Sequence, residues 1–378
     1  MVVSTDLSVA ESLKFDLLCE GLHIEEDAQR YIDERNGGRA LTPADYASTS
    51  GIILELEDDV WVNAPIAEHN ANFVSDPTFR LRLGEAGLYV DGAEREVAAR
   101  FWLPPTYHDG HTSAGEPYTS FAFTHADRVR VSPIEGCSMT CKFCNLPYEF
   151  RYTTKRIAGV VEAVRAAAAD PIQPASHVLI SGGTPREVDY GYVRDVYEAV
   201  ISGFPELPVD IMMVPIADVV DVEWLASLGV NELSINIEVF DRELAPNLMR
   251  RKAAQGLDLY LSFMAAAAEV LGPRRVRSMV LVGLEDLDQT LAAVTAIAER
   301  GCVPVLSPFR PDPATPLRDR VPPTADLLRE AFLRSQEIAR THGVPLGPTC
   351  IPCSHNTLTL AVSGAGDADH HHGRPHLI

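Results

Sequence analysis

The sequence predicts an α/β fold: a partial (β/α)6 barrel between an N-terminal α+β leader domain and a C-terminal cysteine-containing extension. From Asp127 onward, short apolar runs alternate with longer helical stretches, which is the pattern of repeated βα units. Gly229, Gly301 and Gly343 follow three of the predicted helices, where glycines often end helices. The six predicted strands cover residues 127–134, 177–180, 209–215, 232–239, 275–283 and 302–309. The predicted helices cover residues 154–169, 190–201, 222–228, 242–271, 287–300 and 325–342.

The residues before the barrel follow a different pattern. Residues 5–35 read as helical, and residues 51–66 and 87–105 alternate apolar and polar side chains as strands do. We therefore predict four regions: a leader domain over 1–120, the barrel over 121–320, a helix with a CxxC extension over 321–362, and a disordered tail over 363–378. The tail contains three adjacent histidines, His370, His371 and His372, which could also bind metal adventitiously.

Charge and cysteine content exclude several classes of protein. The formal net charge is −21, so the surface repels polyanions and a nucleic-acid partner is not expected. We find neither a membrane-spanning apolar stretch nor a signal peptide, which predicts a cytoplasmic protein with no membrane partner. Seven cysteines are too few for a disulfide scaffold of this length, and clustered cysteines in a reducing compartment are more often metal ligands.

Three cysteines lie directly after the first predicted barrel strand, in the segment EGCSMTCKFCNLP (135–147). Cys137, Cys141 and Cys144 form a CxxxCxxC pattern, in which three thiolates can each bind one iron of a cubane and leave the fourth iron open. Zinc is the alternative metal for these three cysteines, although zinc sites usually need four protein ligands. The spacing, with the aromatic Phe143 before the last cysteine, resembles the signature of the radical S-adenosylmethionine (SAM) superfamily.

This resemblance implies a 4Fe-4S cluster whose open iron chelates SAM. An electron from a donor such as flavodoxin or ferredoxin would cleave SAM to methionine and a 5′-deoxyadenosyl radical, which abstracts hydrogen from a substrate. Ligands of such barrels lie at the carboxyl ends of the strands. Candidate cofactor-binding residues by resemblance are Phe143, Ser181, Gly182, Gly183, Thr184, Asn236, Glu238 and Gly283. A plain turn at 181–184 and a solvated strand end at 236–238 are the alternatives.

The last strand and the remaining cysteines leave further questions open. Arg310 resembles an arginine of the biotin synthase-like branch and would hold a carboxylate, or else pair with one of the many acids. Cys19 is expected to be a buried small side chain, and Cys302 to lie at the rim opposite the active site. Cys350 and Cys353 form a CxxC beyond the last helix, expected at the mouth of the barrel. They could hold an auxiliary iron–sulfur cluster or another metal, form a redox-active dithiol, or be structural thiols.

The sequence therefore predicts a radical SAM enzyme of the biotin synthase or lipoyl synthase-like branch that acts on a small molecule. One hypothesis is a biosynthetic transferase that inserts sulfur from an auxiliary cluster at Cys350 and Cys353. Rearrangement, dehydrogenation or decarboxylation in cofactor or natural-product biosynthesis is the alternative chemistry. A non-catalytic zinc-binding protein is the alternative from another class. No residue is predicted to act directly on the substrate.

Overall fold

The N-terminal residues form a helix-covered sheet. The computed structural model describes residues 7–42, 45, 51–70, 76–350, 352–360 and 375–378. The first elements are α1 (Val9–Glu20), β1 (Leu22–Ile24), α2 (Glu26–Arg35), β2 (Gly51–Leu56), β3 (Val60–Pro65), β4 (Phe79–Gly84), β5 (Gly87–Asp91) and β6 (Val97–Phe101). The strand order is β1-β4-β5-β6-β2-β3, and only the β1–β4 pair is parallel.

The helical reading of residues 5–35 is wrong at its centre. Gly21 has a φ of 68° and ends α1: its backbone N–H still makes the last helical hydrogen bond, to the Leu17 carbonyl, and its positive φ then turns the chain out of the helix. The next three residues pair with β4 as β1. The positive φ of this one glycine therefore splits the predicted helix into a helix, a strand and a second helix.

A second sheet of seven strands forms the partial barrel. Its strands are β7 (Ala122–His125), β8 (Arg128–Val131), β11 (His177–Ile180), β12 (Val209–Met212), β13 (Leu233–Ser234), β14 (Val276–Val282) and β15 (Val303–Pro308). Strands β8 and β11 to β15 are parallel and neighbour one another in chain order, while β7 pairs antiparallel with β8 at the edge. The predicted partial barrel of six parallel strands is thereby confirmed.

Short elements and helices fill the connections between the barrel strands. They are β9 (Ile134–Glu135), α3 (Leu146–Glu149), β10 (Thr153–Thr154), α4 (Ile157–Ala168), α5 (Tyr190–Gly203), α6 (Val222–Leu228), α7 (Ala245–Leu248), α8 (Arg250–Gln255), α9 (Leu257–Leu271), α10 (Leu287–Ala298) and α11 (Ala325–Thr341). The helix α6 ends at Gly229, whose φ is 93° as a C-terminal cap requires.

The single helix predicted over residues 242–271 is wrong. The chain instead forms α7, α8 and α9, which are separated at Met249 and at Gly256. Gly256 has a φ of 88°, which a right-handed helix does not allow. The break at Met249 lets the carbonyl of Leu248 accept a 2.8 Å hydrogen bond from the backbone N–H of Lys142. The irregular segment therefore packs against the cysteine loop.

The first described helix and the last described residues lie against the rest of the structure. Phe15 of α1 packs on Phe332 of α11, with ring centroids 5.5 Å apart. At the end of the chain, Ile378 exchanges backbone hydrogen bonds of 2.8 and 2.9 Å with Phe101 of β6. Residues 376–378 of the predicted disordered tail thus pair with the rest of the chain, and its histidines 370–372 lie outside the described residues. None of the described helices has the length and apolar character that a membrane crossing needs.

Candidate functional site

The cysteine loop and the loop after β11 are in unusually close contact. Gly183 follows the carboxyl end of β11, and a Cβ added there would lie 1.7 Å from the carbonyl oxygen of Gly136. Gly136 itself has a φ of 68° and immediately precedes Cys137. Only glycine allows these two backbones to approach so closely. The two loops therefore form one unit at the carboxyl ends of β8 and β11.

Backbone N–H groups converge on the first cysteine. The Sγ of Cys137 accepts hydrogen bonds from the N–H of Thr184 at 3.1 Å and of Met139 at 3.3 Å. The carbonyl of Thr184 in turn accepts from the N–H of Ser138 at 3.0 Å. N–H donors aimed at sulfur stabilise a thiolate, and they tune the potential of a thiolate-bound iron cluster. The surroundings of Cys137 thus fit a thiolate that binds iron.

The other two cysteines lie in apolar surroundings. Cys141 is buried and Cys144 is half-buried, and both pack in an apolar cluster with Phe143, Phe309 and other side chains. Burial raises the pKa of Cys141 well above its usual range and that of Cys144 to about 11. Both are therefore protonated in the metal-free protein at neutral pH, and binding of iron has to displace these protons.

Comparison with models of protein families identifies the type of domain that contains this cysteine loop. Residues 131–296, which begin at the end of β8 and include all three cysteines, match the model of the Radical SAM superfamily. This part of the chain is a radical SAM domain. The family implies an enzyme with a 4Fe-4S cluster, SAM, and an electron supply from a reductase. A search of curated proteins finds no match to the sequence.

Comparison with solved structures finds similar chains at low sequence identity. A structure of HydG, a maturase of the FeFe-hydrogenase, is 14% identical with a TM-score of 0.44, covering 56% of this chain and 48% of that chain. A radical SAM methyltransferase from Sphaerobacter thermophilus is 17% identical with a TM-score of 0.47, covering 73% and 78%. HydG from Carboxydothermus hydrogenoformans is 14% identical with a TM-score of 0.45, covering 66% and 61%. The chain thus spans about half of the first of these proteins.

Several candidate SAM-binding residues of the radical SAM domain lie around the cysteine loop. Ser181 is buried, and its hydroxyl accepts a 2.7 Å hydrogen bond from Nε of Arg130. Gly182 has a φ of 138°, a conformation that glycine alone adopts readily. Together with Gly183 and Thr184, these residues form the loop that contacts Cys137. The structure therefore places the predicted segment 181–184 beside Cys137.

The two predicted polar residues after β13 have different surroundings. Oδ1 of Asn236 accepts hydrogen bonds from the Ser234 hydroxyl at 2.9 Å and from the backbone N–H of Met279 at 3.1 Å. Glu238 has a φ of 66° and forms an ion pair with Nζ of Lys252 at 3.0 Å. Glu238 lines the barrel cavity, whereas Asn236 uses its oxygen to hold the strands together.

Two other predicted residues are committed to contacts within the protein. The carbonyl of Gly283 accepts a hydrogen bond from Arg320 at 3.1 Å, and the Cα of Gly283 faces the ring of Pro323. Gly283 is not among the residues that line the cavity. The guanidinium of Arg310 donates to the side chain and the carbonyl of Asn63 in β3, at 2.5 and 2.6 Å. Sequence reasoning did not foresee this contact between the leader segment and the barrel.

A cavity of about 360 Å³ runs through the barrel interior. Phe143 and Cys144 line it at the carboxyl end of the strands, and Cys353 lines it toward the amino end. Its volume suits a small molecule. Sequence reasoning missed several polar residues of this wall: His125, Arg128, Arg130, Arg277 and Ser307. The signal was present in β8, where Arg128 and Arg130 alternate with buried Val129 and Val131, so that both arginines face the interior.

Cys350 and Cys353 lie at the opposite end of the barrel from the expected place. They contact Asp127, which precedes β8, and His177, which begins β11, so they lie at the amino ends of the strands. The expectation that they line the mouth is therefore wrong. The reason is that α11 ends at the amino-terminal rim of the sheet, so the segment after it crosses beneath the barrel.

The two cysteines at this end differ in acidity. Burial opposes ionisation of Cys353, but a hydrogen bond from Cys350 and the charge of Arg128 lower its pKa below the usual range. Burial raises the pKa of Cys350. The remaining cysteines lie elsewhere: Cys19 is buried in α1, and Cys302 is buried just before β15.

Proposed function

We propose that this protein is a radical SAM enzyme that abstracts hydrogen from a small molecule bound in the barrel cavity. The observation that carries the proposal is the joined pair of loops, in which the backbone after β11 donates to Cys137. When bound, the 4Fe-4S cluster supplies the electron that cleaves SAM to methionine and the 5′-deoxyadenosyl radical. Cys137, Cys141 and Cys144 hold the cluster, and residues 181–184 and Glu238 border the bound SAM.

The cavity wall favours a substrate with an anionic group. Arg128 and Arg130 face the interior, and Nε of Arg128 is buried with no hydrogen-bond acceptor among the described residues. A buried guanidinium N–H without an acceptor costs free energy, which a carboxylate or phosphate of the substrate would offset. We therefore place the anionic end of the substrate at Arg128 and its reacting carbon nearer to the SAM site.

Rearrangement, dehydrogenation or decarboxylation needs only these components, and we favour this class of reaction. Sulfur insertion, as in the biotin synthase or lipoyl synthase-like branch, is the second candidate. It is favoured by one observation: Cys353 lines the same cavity as Cys144, so a sulfide-bearing auxiliary cluster at Cys350 and Cys353 would face the substrate. The sulfide content of the purified protein separates the two candidates, because only the second requires sulfide beyond that of the SAM-binding cluster.

Reductive cleavage of SAM tests the radical chemistry. After anaerobic reconstitution, the protein with dithionite and SAM should produce 5′-deoxyadenosine, and Cys141→Ala should reduce this at least about a hundredfold, because the cluster loses one of its three ligands. Cys302→Ala is the matched control, since Cys302 is also buried but lies at the other rim. Equal activity of Cys141→Ala and the wild type would refute the assignment.

The substrate class has its own test. Small carboxylic acids and their matched amides would be compared for stimulation of 5′-deoxyadenosine formation. We expect the acids to stimulate more than the amides, and Arg128→Met to remove the difference while Arg128→Lys keeps part of it. Amides that stimulate as well as acids would contradict the role of Arg128.

A further inference from the structure

Four side chains capable of binding metal converge at the amino end of the barrel. They are Asp127, His177, Cys350 and Cys353, and one ligand atom from each lies within 4.8 Å of the other three. Asp127, His177 and Cys353 are buried, and Cys350 is half-buried. We propose that these four residues bind a single tetrahedral metal ion of the zinc type, in addition to the radical SAM cluster. This inference is independent of the radical chemistry and goes beyond it.

The separations between the side chains match one metal ion. Ligands at 2.0 to 2.3 Å from a tetrahedral zinc ion lie about 3.3 to 3.8 Å from one another. In the protein, Sγ of Cys353 lies 3.4 Å from Nε2 of His177 and 3.7 Å from Oδ1 of Asp127. Sγ of Cys350 lies 3.6 Å from the same Asp127 oxygen. These three edges already have the length that a bound ion requires, so little movement is needed to admit it.

Neighbouring groups orient the ligands. Oδ2 of Asp127 accepts a 3.1 Å hydrogen bond from the Ser176 hydroxyl, which turns Oδ1 toward the two thiols. The backbone N–H of Cys353 donates to Sγ of Cys350 at 3.4 Å, an arrangement that suits a thiolate in a short CxxC loop. Such supporting hydrogen bonds typically fix metal ligands and raise affinity. The set therefore has two features of a metal site: converging ligands and their orienting partners.

The same distances disfavour an iron–sulfur cluster. In a cubane each protein ligand binds a different iron, and in a two-iron cluster two ligands bind each of the irons at opposite ends. In either arrangement, ligand atoms on different irons lie farther apart than ligands of one shared ion, whereas all four ligand atoms here lie within 4.8 Å of one another. Two thiolates, an imidazole and a carboxylate are instead a donor set that zinc accepts.

The site would fasten the C-terminal segment to the barrel. Asp127 and His177 belong to neighbouring strands β8 and β11, while both cysteines come from the segment after α11. A cavity of about 220 Å³ lined by His177, Cys350 and Cys353 offers a path for the ion. The ion would close the amino end of the barrel beneath the substrate cavity, because Cys353 lines both cavities.

Metal analysis of the full-length chain tests the proposal. In a variant with Cys137, Cys141 and Cys144 all changed to Ala, the radical SAM cluster cannot form. After incubation with zinc and gel filtration, this variant should retain about one zinc ion per chain and no acid-labile sulfide. Adding Asp127→Ala or His177→Ala should weaken zinc binding by at least about tenfold, whereas adding Cys302→Ala should not.

Controls make failure interpretable. Asp127→His supplies another zinc ligand and should retain the ion, which separates ligand loss from misfolding. Replacing zinc by cobalt should give thiolate-to-cobalt charge-transfer absorption that decreases when Cys350 becomes Ala. Retention of iron with sulfide in the triple variant would show an iron–sulfur cluster instead of a single ion. Binding of less than a tenth of an equivalent of any metal would show that the thiols merely hydrogen-bond to Asp127. Either result overturns the proposal. Both leave production of 5′-deoxyadenosine by the wild type as a separate question.

Discussion

A methyl group at Gly183 should separate the two loops that we propose hold the SAM-binding cluster. The added carbon would lie 1.7 Å from the Gly136 oxygen, whereas real contacts of this kind are essentially never below 3.0 Å, so the loops must part by about 1.3 Å. If Thr184 moves with Gly183, its 3.1 Å hydrogen bond to Cys137 lengthens by that amount to about 4.4 Å and is lost. We expect Gly183→Ala to cost at least about 1 to 3 kcal/mol of unfolding free energy.

The assay combines urea unfolding of the metal-free protein with iron content after reconstitution. Gly183→Ala should unfold at lower urea and bind less than half of the wild-type iron. Gly191→Ala is the matched control: a Cβ there meets nothing within 4 Å, and Gly191 lies in α5, so its effect should lie between none and a gain of about 1 kcal/mol. Wild-type stability and iron content in Gly183→Ala would refute the argument, as would equal losses in both variants.

Two further predictions concern buried charges near the same site. Lys252→Met leaves the Glu238 carboxylate without its cation and should lower the unfolding free energy, measured in urea, by about 3 to 5 kcal/mol. Adding Glu238→Gln should restore part of this loss. If the losses of the two single variants simply add in the double variant, the pairing is contradicted. Burial raises the pKa of Glu285 from 4.5 to about 7, so the native state holds this proton more tightly than the unfolded chain. Relative to Glu285→Gln, wild-type stability should therefore fall as pH rises from about 4.5 to about 7, and a pH-independent difference in unfolding free energy would refute this.

The sequence predicts the barrel well because its evidence is local. Most of the parallel strands are largely buried, apolar-rich runs, and each helix has its own periodicity and often its own terminal glycine, as at Gly229. The three cysteines are informative for the same reason, since their chemistry depends on spacing along a single loop. These features need no knowledge of which distant segments meet.

Features that depend on distant contacts were missed. Residues 232–239 alternate like a strand, yet β13 ends at Ser234. Beyond that point, side chains take over some of the backbone hydrogen bonds between neighbouring strands. The Ser278 hydroxyl accepts from the N–H of Ile237, and the side-chain oxygen of Asn236 accepts from the N–H of Met279. Asp127 and His177 lie 50 residues apart in sequence and far from the CxxC, so nothing local marks them as its partners. Only strand order brings them together.

The short strand β8 also limits the size of the proposed substrate. Asp127 precedes this four-residue strand and the cysteine loop follows it, so about 13 Å of extended chain lies between the amino-end site and the SAM site. Pairing with β7 on one side and β11 on the other holds β8 in place, which keeps this separation nearly constant. A substrate that lies between Cys144 and Cys353 must fit that length and the cavity of about 360 Å³. These dimensions agree with the proposed small anionic substrate at Arg128, whereas a folded macromolecule would not fit in the interior.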